Sequence, residues 1–251
     1  MDGVALCVTG MGKVNSAMTL QAILMDDRFD FSNAYIVSTG CAGSAIEYGV
    51  MGDVFVITAT VDFDLGHHAD ARDLTTDLAT TWFHDESYDD ASAKLLNQEL
   101  CEKVFNLVKD VQIETTEKTR AFMAATFDNA DWAIRDPKVL RGTTVTGDNY
   151  WKGMHDHENA LLMTTTYGCP DPYALTEMED HAMAVVLDRL GMLDRYIIIR
   201  DSVNTDVFMN GASPESLWDP NFVDSLASES SVESADIFAT AMKNNFTVGH
   251  V

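Results

Sequence analysis

The chain has 251 residues, 16 of them basic and 40 acidic, which gives a formal charge of −24. Nucleic-acid binding rests mainly on Lys and Arg contacts to phosphate, so this balance excludes a polynucleotide as the main partner, and anionic membrane surfaces with it. With 46% hydrophobic residues the composition is that of a chain with a real core, not of a disordered one.

The first predicted element is the apolar run Val4-Ala5-Leu6-Cys7-Val8-Thr9, which stops at Gly10-Met11-Gly12. Val14, Ala17, Met18, Leu20, Ala22 and Ile23 then recur at helical spacing, so this opening reads as buried strand, glycine turn and helix. A second strand at Ala34-Tyr35-Ile36-Val37-Ser38 runs into a loop, Thr39-Gly40-Cys41-Ala42-Gly43-Ser44, and a long β-branched strand follows over 53–61. The stretch 64–90, rich in Asp, His, Thr and aromatics, shows no clear period and reads as an irregular surface excursion. Leu100, Val104, Leu107 and Val108 share one face of a predicted helix over 99–111. A further amphipathic helix, 178–190, precedes the strand Tyr196-Ile197-Ile198-Ile199-Arg200. The acidic stretch 219–233 is a predicted loop into a last helix from about Ala235.

Continuous apolar strands alternating with helices predict a three-layer α/β/α fold with a mixed, mainly parallel central sheet. No repeat or linker demands a second domain, so 1–251 is expected to form one. The chain opens directly in a strand where such domains often have an earlier one, so the first strand of the fold is expected to be absent. Cys7, Cys41, Cys101 and Cys169 form no CxxC pair and have no His at ligand spacing, which suggests neither a metal site nor a disulfide framework. No run of about 18 apolar residues is present, so no membrane insertion is expected. Residues 1–20 lack a signal-peptide layout, and a cytoplasmic location is the expectation.

Gly10-Met11-Gly12-Lys13 follows a strand and opens a helix, the setting in which backbone N–H groups meet an anion. The spacing fits neither GxGxxG nor GxxxxGK[ST], and on spacing alone a tight turn that needs glycine dihedral angles is the preferred reading. The loop from Thr39 also lies at a strand's C-terminal end, where open α/β sheets place ligands.

With these loops stand Val145-Thr146-Gly147-Asp148-Asn149-Tyr150-Trp151, Met178-Glu179-Asp180 and Arg200-Asp201-Ser202-Val203-Asn204. Their order resembles the nucleoside phosphorylase and nucleosidase superfamily. The details are most similar to its purine nucleoside permease-named branch. The resemblance implies a purine ribonucleoside lying across the C-terminal edge of the sheet, and cleavage of its N-glycosidic bond. Phosphorolysis is favoured over hydrolysis, with inorganic phosphate as co-substrate and no other cofactor. It further implies a homo-oligomer. The alternative is a nucleoside-binding or transport-associated protein without catalysis.

By this resemblance Glu179 accepts hydrogen bonds from the ribose 2′ and 3′ hydroxyls, a role that suits an acceptor-only carboxylate. Tyr150 stacks on the base with Trp151 beside it, although core aromatics would read the same way. Met178 contacts sugar or base. Asn204 stands where many relatives carry an aspartic acid; an amide cannot deliver a proton, but it can hydrogen-bond a purine's N7 and O6 and stabilise charge there. Asp206 is a candidate acid if its loop turns it inward. Gly10 and Gly12, with Thr39, Gly40 and Cys41, are left to hold phosphate, and Arg72 and Arg141 are candidate cations for it. His67 and His68 follow a strand, where relatives also place a histidine, but solvated loop histidines are the preferred reading.

Overall fold

The computed structural model describes residues 3–76, 80–208 and 236–251. Helix α1 (Lys13–Leu24) precedes strand β1 (Ile36–Ser44) and strand β2 (Val54–Asp62). Among its described residues the excursion after β2 carries the two-residue strands β3 (His67–His68) and β4 (Trp82–Phe83), single 3₁₀ turns at Ala71–Asp73 and Glu86–Tyr88, the short helix α2 (Asp89–Ser92) and strand β5 (Ala93–Leu95). Helices α3 (Gln98–Val108) and α4 (Glu117–Thr126), strand β6 (Val139–Thr146), helix α5 (Met154–Thr166), strand β7 (Tyr173–Glu177), helix α6 (Asp180–Arg189) and strand β8 (Tyr196–Thr205) follow. Helix α7 closes the chain over 236–249. The predicted acidic loop, 219–233, lies outside the described residues.

The main sheet runs β5-β2-β6-β7-β1-β8, and a further β2–β8 pairing closes β2, β6, β7, β1 and β8 into a ring. Its two long ladders, β1–β8 and β2–β6, are parallel, while β1–β7, β2–β5 and β2–β8 are antiparallel. The sheet is therefore mixed, and its longest ladders run parallel as the continuous apolar strands imply. Side chains of β2 alternate between two cores, as the period of a strand requires. Phe55 and Ile57 join Leu20 of α1 and Met183, Ala184 and Leu187 of α6 in one core. Val54 and Val56 join Val108 of α3 and Val248 of α7 in another.

Two predicted elements change. The run 4–9 is not a strand: Val4, Leu6 and Val8 are 83%, 91% and 88% exposed, and none enters a ladder. Apolar composition predicts burial, but a strand also needs a partner's backbone. The segment lines a cavity opposite β1, whose residues 36–42 pair with β8 alone, and forms no ladder with it. The predicted loop over 39–44 is instead the C-terminal half of β1, paired residue by residue with β8. Three glycine and alanine positions there weaken strand propensity, and the neighbouring ladder overrides it.

Two polar devices hold the layers. Asp53 is fully buried and takes both arms of the Arg135 guanidinium plus the backbone N–H groups of Val50 and Lys138. Asp201 on β8 accepts from Asn245 Nδ2 of α7 at 2.6 Å, while its other oxygen has no partner among the described residues. Burial pushes this carboxyl up to about 6.

Removing Arg135 strands a buried charge, so Arg135→Ala should lower unfolding free energy by about 3 kcal/mol, read as a lower denaturant midpoint at unchanged slope. Asp201 holds its proton in the folded chain at a pH where the unfolded chain has released it. Its contribution is thus present below about pH 4 and is lost as the pH rises to about 6. Asp201→Asn should flatten the fall in stability between pH 4 and 7 relative to the natural chain, by on the order of 2 kcal/mol. Equal slopes in the two proteins would refute the assignment.

Candidate functional site

A cavity of about 1080 Å³ runs along residues 36–43 of β1, between that strand and the segment 3–11, and reaches the C-terminal ends of β7 and β8. Its polar wall is built around Arg200, which β8 delivers into the interior as the fifth residue of an apolar strand. The guanidinium pairs with both oxygens of Asp180, at 2.7 and 2.9 Å, and lies 3.2 Å from Glu179 Oε2 and 3.5 Å from Glu177 Oε2. A Cβ on Gly40 would stand 2.8 Å from Arg200 Nη1, so only glycine leaves room for the cation beside β1.

Glu179 is the residue immediately before α6, and its side chain spans the wall. Oε1 accepts from the backbone N–H of Gly12 at 3.0 Å, and Oε2 faces Arg200. Glu177 supports this turn from below. One of its oxygens accepts from the N–H groups of Glu179 and Asp180, at 2.6 and 2.7 Å, and the other from the hydroxyls of Thr144 and Thr146. Burial and the nearby Asp180 charge push Glu177 up to about 7.

The Gly10–Gly12 turn does meet anions, and they are the protein's own. Gly12 has φ of +92°, and its N–H goes to Glu179; the N–H of Lys13 goes to Asp148 Oδ1 at 2.8 Å. The Lys13 ammonium bridges Asp62 and Asp64 at 2.9 and 2.8 Å. Asp64 in turn accepts from the N–H of Asp148 and from Asn149 Nδ2. This clamp fastens the loop after β6 over the start of α1, and the next residue is Tyr150.

Tyr150 is 62% exposed at the cavity, and its hydroxyl accepts from Asn204 Nδ2 at 3.3 Å. Asn204 is aimed by a bulge: the β1–β8 register slips between Ala42 and Gly43, so Gly43 faces Asn204 while Ala42 faces Ser202. A Cβ on Gly43 would lie 2.5 Å from Asn204 Oδ1. Met178 is half-buried on the same wall. Glu179, Met178, Tyr150, Asn204, Gly10, Gly40 and Cys41 thus come together around one space.

Trp151, Thr39 and Asp206 also line the cavity, with side chains engaged in other contacts, while Arg72, Arg141, His67 and His68 lie away from it. Trp151 is 9% exposed, stacked on Phe63 at 4.9 Å within the core, although it reaches the cavity wall. Thr39 gives its hydroxyl to Asn245 of α7 at 2.9 Å. Asp206 is turned inward, but to His157 and Tyr173. Arg72 pairs with Asp70 on the surface, and Arg141 with Asp171 and Glu102, so neither candidate cation reaches the cavity. His67 lies 3.7 Å from Asp85 in the excursion, and His68 pairs with Trp82 across β3 and β4. Among the described residues no group of three or more acidic, His or Cys side chains is arranged to hold a metal ion.

Sequence reasoning assigned no role to Arg200 or to the Lys13 clamp. The signal for Arg200 was present, since a charge ending the run Tyr196-Ile197-Ile198-Ile199 marks a buried ion pair. The signal for Lys13 was not, because its partners lie 49 and more residues away.

The profile of the family described as purine nucleoside permease (NUP) matches residues 1–251. A probable purine nucleoside permease of Schizosaccharomyces pombe is 27% identical over 226 residues, which cover 79% of this chain and 63% of that one. A purine nucleoside permease of Candida albicans is 24% identical over 212 residues, covering 76% and 52%. The chain thus spans less than two thirds of the length of these relatives. No helix among the described residues is long and apolar enough to cross a membrane. Among solved structures, a 5′-methylthioadenosine/S-adenosylhomocysteine nucleosidase of Neisseria meningitidis, in complex with methylthio-immucillin-A, superposes with a TM-score of 0.53. It is 17% identical, over 96% of this chain and 76% of the other. A putative nucleosidase of the same description from Francisella philomiragia gives 0.52 at 16% identity, over 98% and 80%. These structural likenesses bear on the fold, which is the mixed α/β architecture of the nucleoside phosphorylases and nucleosidases. With its whole length matched by the profile, this chain belongs to the purine nucleoside permease (NUP) family.

Proposed function

We propose that the cavity binds a purine ribonucleoside and that the chain cleaves its N-glycosidic bond. The observation that carries this reading is Glu179, an acceptor-only group fixed between the Gly12 N–H and Arg200, across the cavity wall from an aromatic ring and an amide. A carboxylate held by one fixed cation keeps lone pairs for two hydroxyl donors, which is the demand of a ribose 2′,3′-diol. Tyr150 offers a face for the base, and Asn204 offers an N–H to the base as its glycosidic bond electrons move onto it. Bond cleavage leaves positive charge on the ribose ring, which the carboxylate-rich wall stabilises.

The nucleophile completes the reaction by bonding to the ribose carbon. Phosphate would yield ribose 1-phosphate and free base; water would yield ribose and free base. Phosphorolysis, expected from the resemblance, needs a cation or free N–H groups to cradle the anion. In this cavity the α1 N–H groups are given to Glu179 and Asp148, and Arg200 is shared by three carboxylates. That disposition favours water. Asp206 and Trp151 act in this reading as supports, not as groups at the reacting atoms.

Chromatography of inosine, guanosine and adenosine incubated with the protein, with and without phosphate, tests the reading. Base should be released without phosphate, and Glu179→Gln should lower kcat/KM by roughly 100-fold, the loss of one or two charge-assisted hydrogen bonds. Asn204→Ala should lower kcat by on the order of 100-fold with little change in KM, as for a donor that acts in the transition state. Release only with phosphate would restore phosphorolysis. Nucleoside binding without release would leave a carrier, and neither binding nor release would end the proposal.

A further inference from the structure

Asp206 directly follows β8, the strand that carries Asn204, and it is 1% exposed. Its Oδ2 lies 2.7 Å from His157 Nδ1 and accepts from the Tyr173 hydroxyl at 2.8 Å, while Oδ1 accepts from the N–H of Ile46 at 3.2 Å. His157 and Tyr173 are themselves buried, with their rings 5.7 Å apart, edge to face. The backbone of the same residue is held on both sides: its N–H donates to Ser44 O at 3.0 Å, and its carbonyl accepts from Gly153 N at 2.9 Å. One residue therefore ties together β7, β8, the turn after β1 and the start of α5.

That knot bears on the cavity from two directions. Asn204 lies two residues before Asp206, and Tyr150 three residues before Gly153. The hydrogen bond between Asn204 and Tyr150 is long, 3.3 Å, and cannot hold two loops by itself. Their separation is set by the backbone on which each is mounted: the Lys13 clamp holds the Tyr150 loop on one side and the β1 ladder holds Asn204, while Asp206 is bonded to the end of both segments.

We infer that Asp206, with His157 and Tyr173, is a positioning device that sets the Asn204–Tyr150 pair and so the placement of the base. This rests on the nucleoside reading above for its consequence in catalysis, but its structural part does not. The His157 imidazole supplies an N–H to the carboxylate, a role that an asparagine amide reproduces and leucine does not. Misplacement of a base-binding donor by about 1 Å costs on the order of 100-fold in rate without a matching loss of binding.

The test uses the full chain with His157→Leu, His157→Asn and Tyr173→Phe. Crystal structures without ligand should show the Asn204–Tyr150 hydrogen bond broken in His157→Leu and kept in His157→Asn. Nucleoside cleavage, measured well below the melting temperature of each variant, should fall 10- to 100-fold in kcat for His157→Leu, with KM within about 3-fold, and recover in His157→Asn. Tyr173→Phe, which keeps the ring and removes one donor, should fall between. It replaces His157→Leu in both arms if that variant does not fold. An unmoved Asn204–Tyr150 pair, or a loss that follows melting temperature alone and is not rescued by asparagine, would overturn the inference. If the natural chain neither binds nor cleaves a nucleoside, the function fails, while the crystallographic arm still decides the positioning.

Discussion

Arg200 with its three carboxylates is the interaction on which the rest of the site depends. Taking a guanidinium and three acids out of water is costly, and the cost is met only by close geometry and further hydrogen bonds. The fold meets both conditions. Asp180 pairs with the cation through both oxygens, Glu177 is saturated by two backbone and two hydroxyl donors, and Glu179 takes the N–H of Gly12. The glycine at position 40 on β1 exists for the same reason, since any larger residue would displace the cation. What emerges at the cavity is a carboxylate, Glu179, whose orientation is fixed by the Gly12 N–H and by Arg200.

The acidity of the chain finds part of its explanation in how carboxylates are satisfied. With 16 basic residues for 40 acidic ones, most acids cannot have a cation of their own. Buried or half-buried acids collect backbone donors in addition to the cation they share or face. Asp62 accepts from the N–H groups of Asp64 and Leu65, Asp53 from Val50 and Lys138, and Glu177 from Glu179 and Asp180. Charge-assisted bonds of this kind are stronger than neutral ones and spread the stabilisation of each carboxylate beyond its cation. The few cations are concentrated where they join distant segments, as Lys13 and Arg200 do.

The elements with strong local signals were legible in the sequence. The β-branched run of β2, the amphipathic face of α6 and the apolar start of β8 all stand where period and propensity put them. The run 4–9 is no strand because apolar content is not pairing: the segment faces β1 across the cavity without forming a ladder. The strand β1 was cut short because its glycines signal a turn in isolation. Within the site, Glu179, Tyr150 and Asn204 were named through resemblance, and the structure brings all three to one cavity. The clamp of Lys13, the burial of Arg200 and the anchoring of Asp206 were not legible, since each is a relation between segments that no local pattern encodes.

The two N–H groups at the start of α1 are bound by residues 167 and 135 positions further along the chain. Contacts of such sequence separation are entropically the last to be rewarded during folding. The first helix can form early, but the space beside it has no polar wall until β7, α6 and β8 have been synthesised and docked. A chain interrupted anywhere before residue 204 therefore carries the glycine turn without a site.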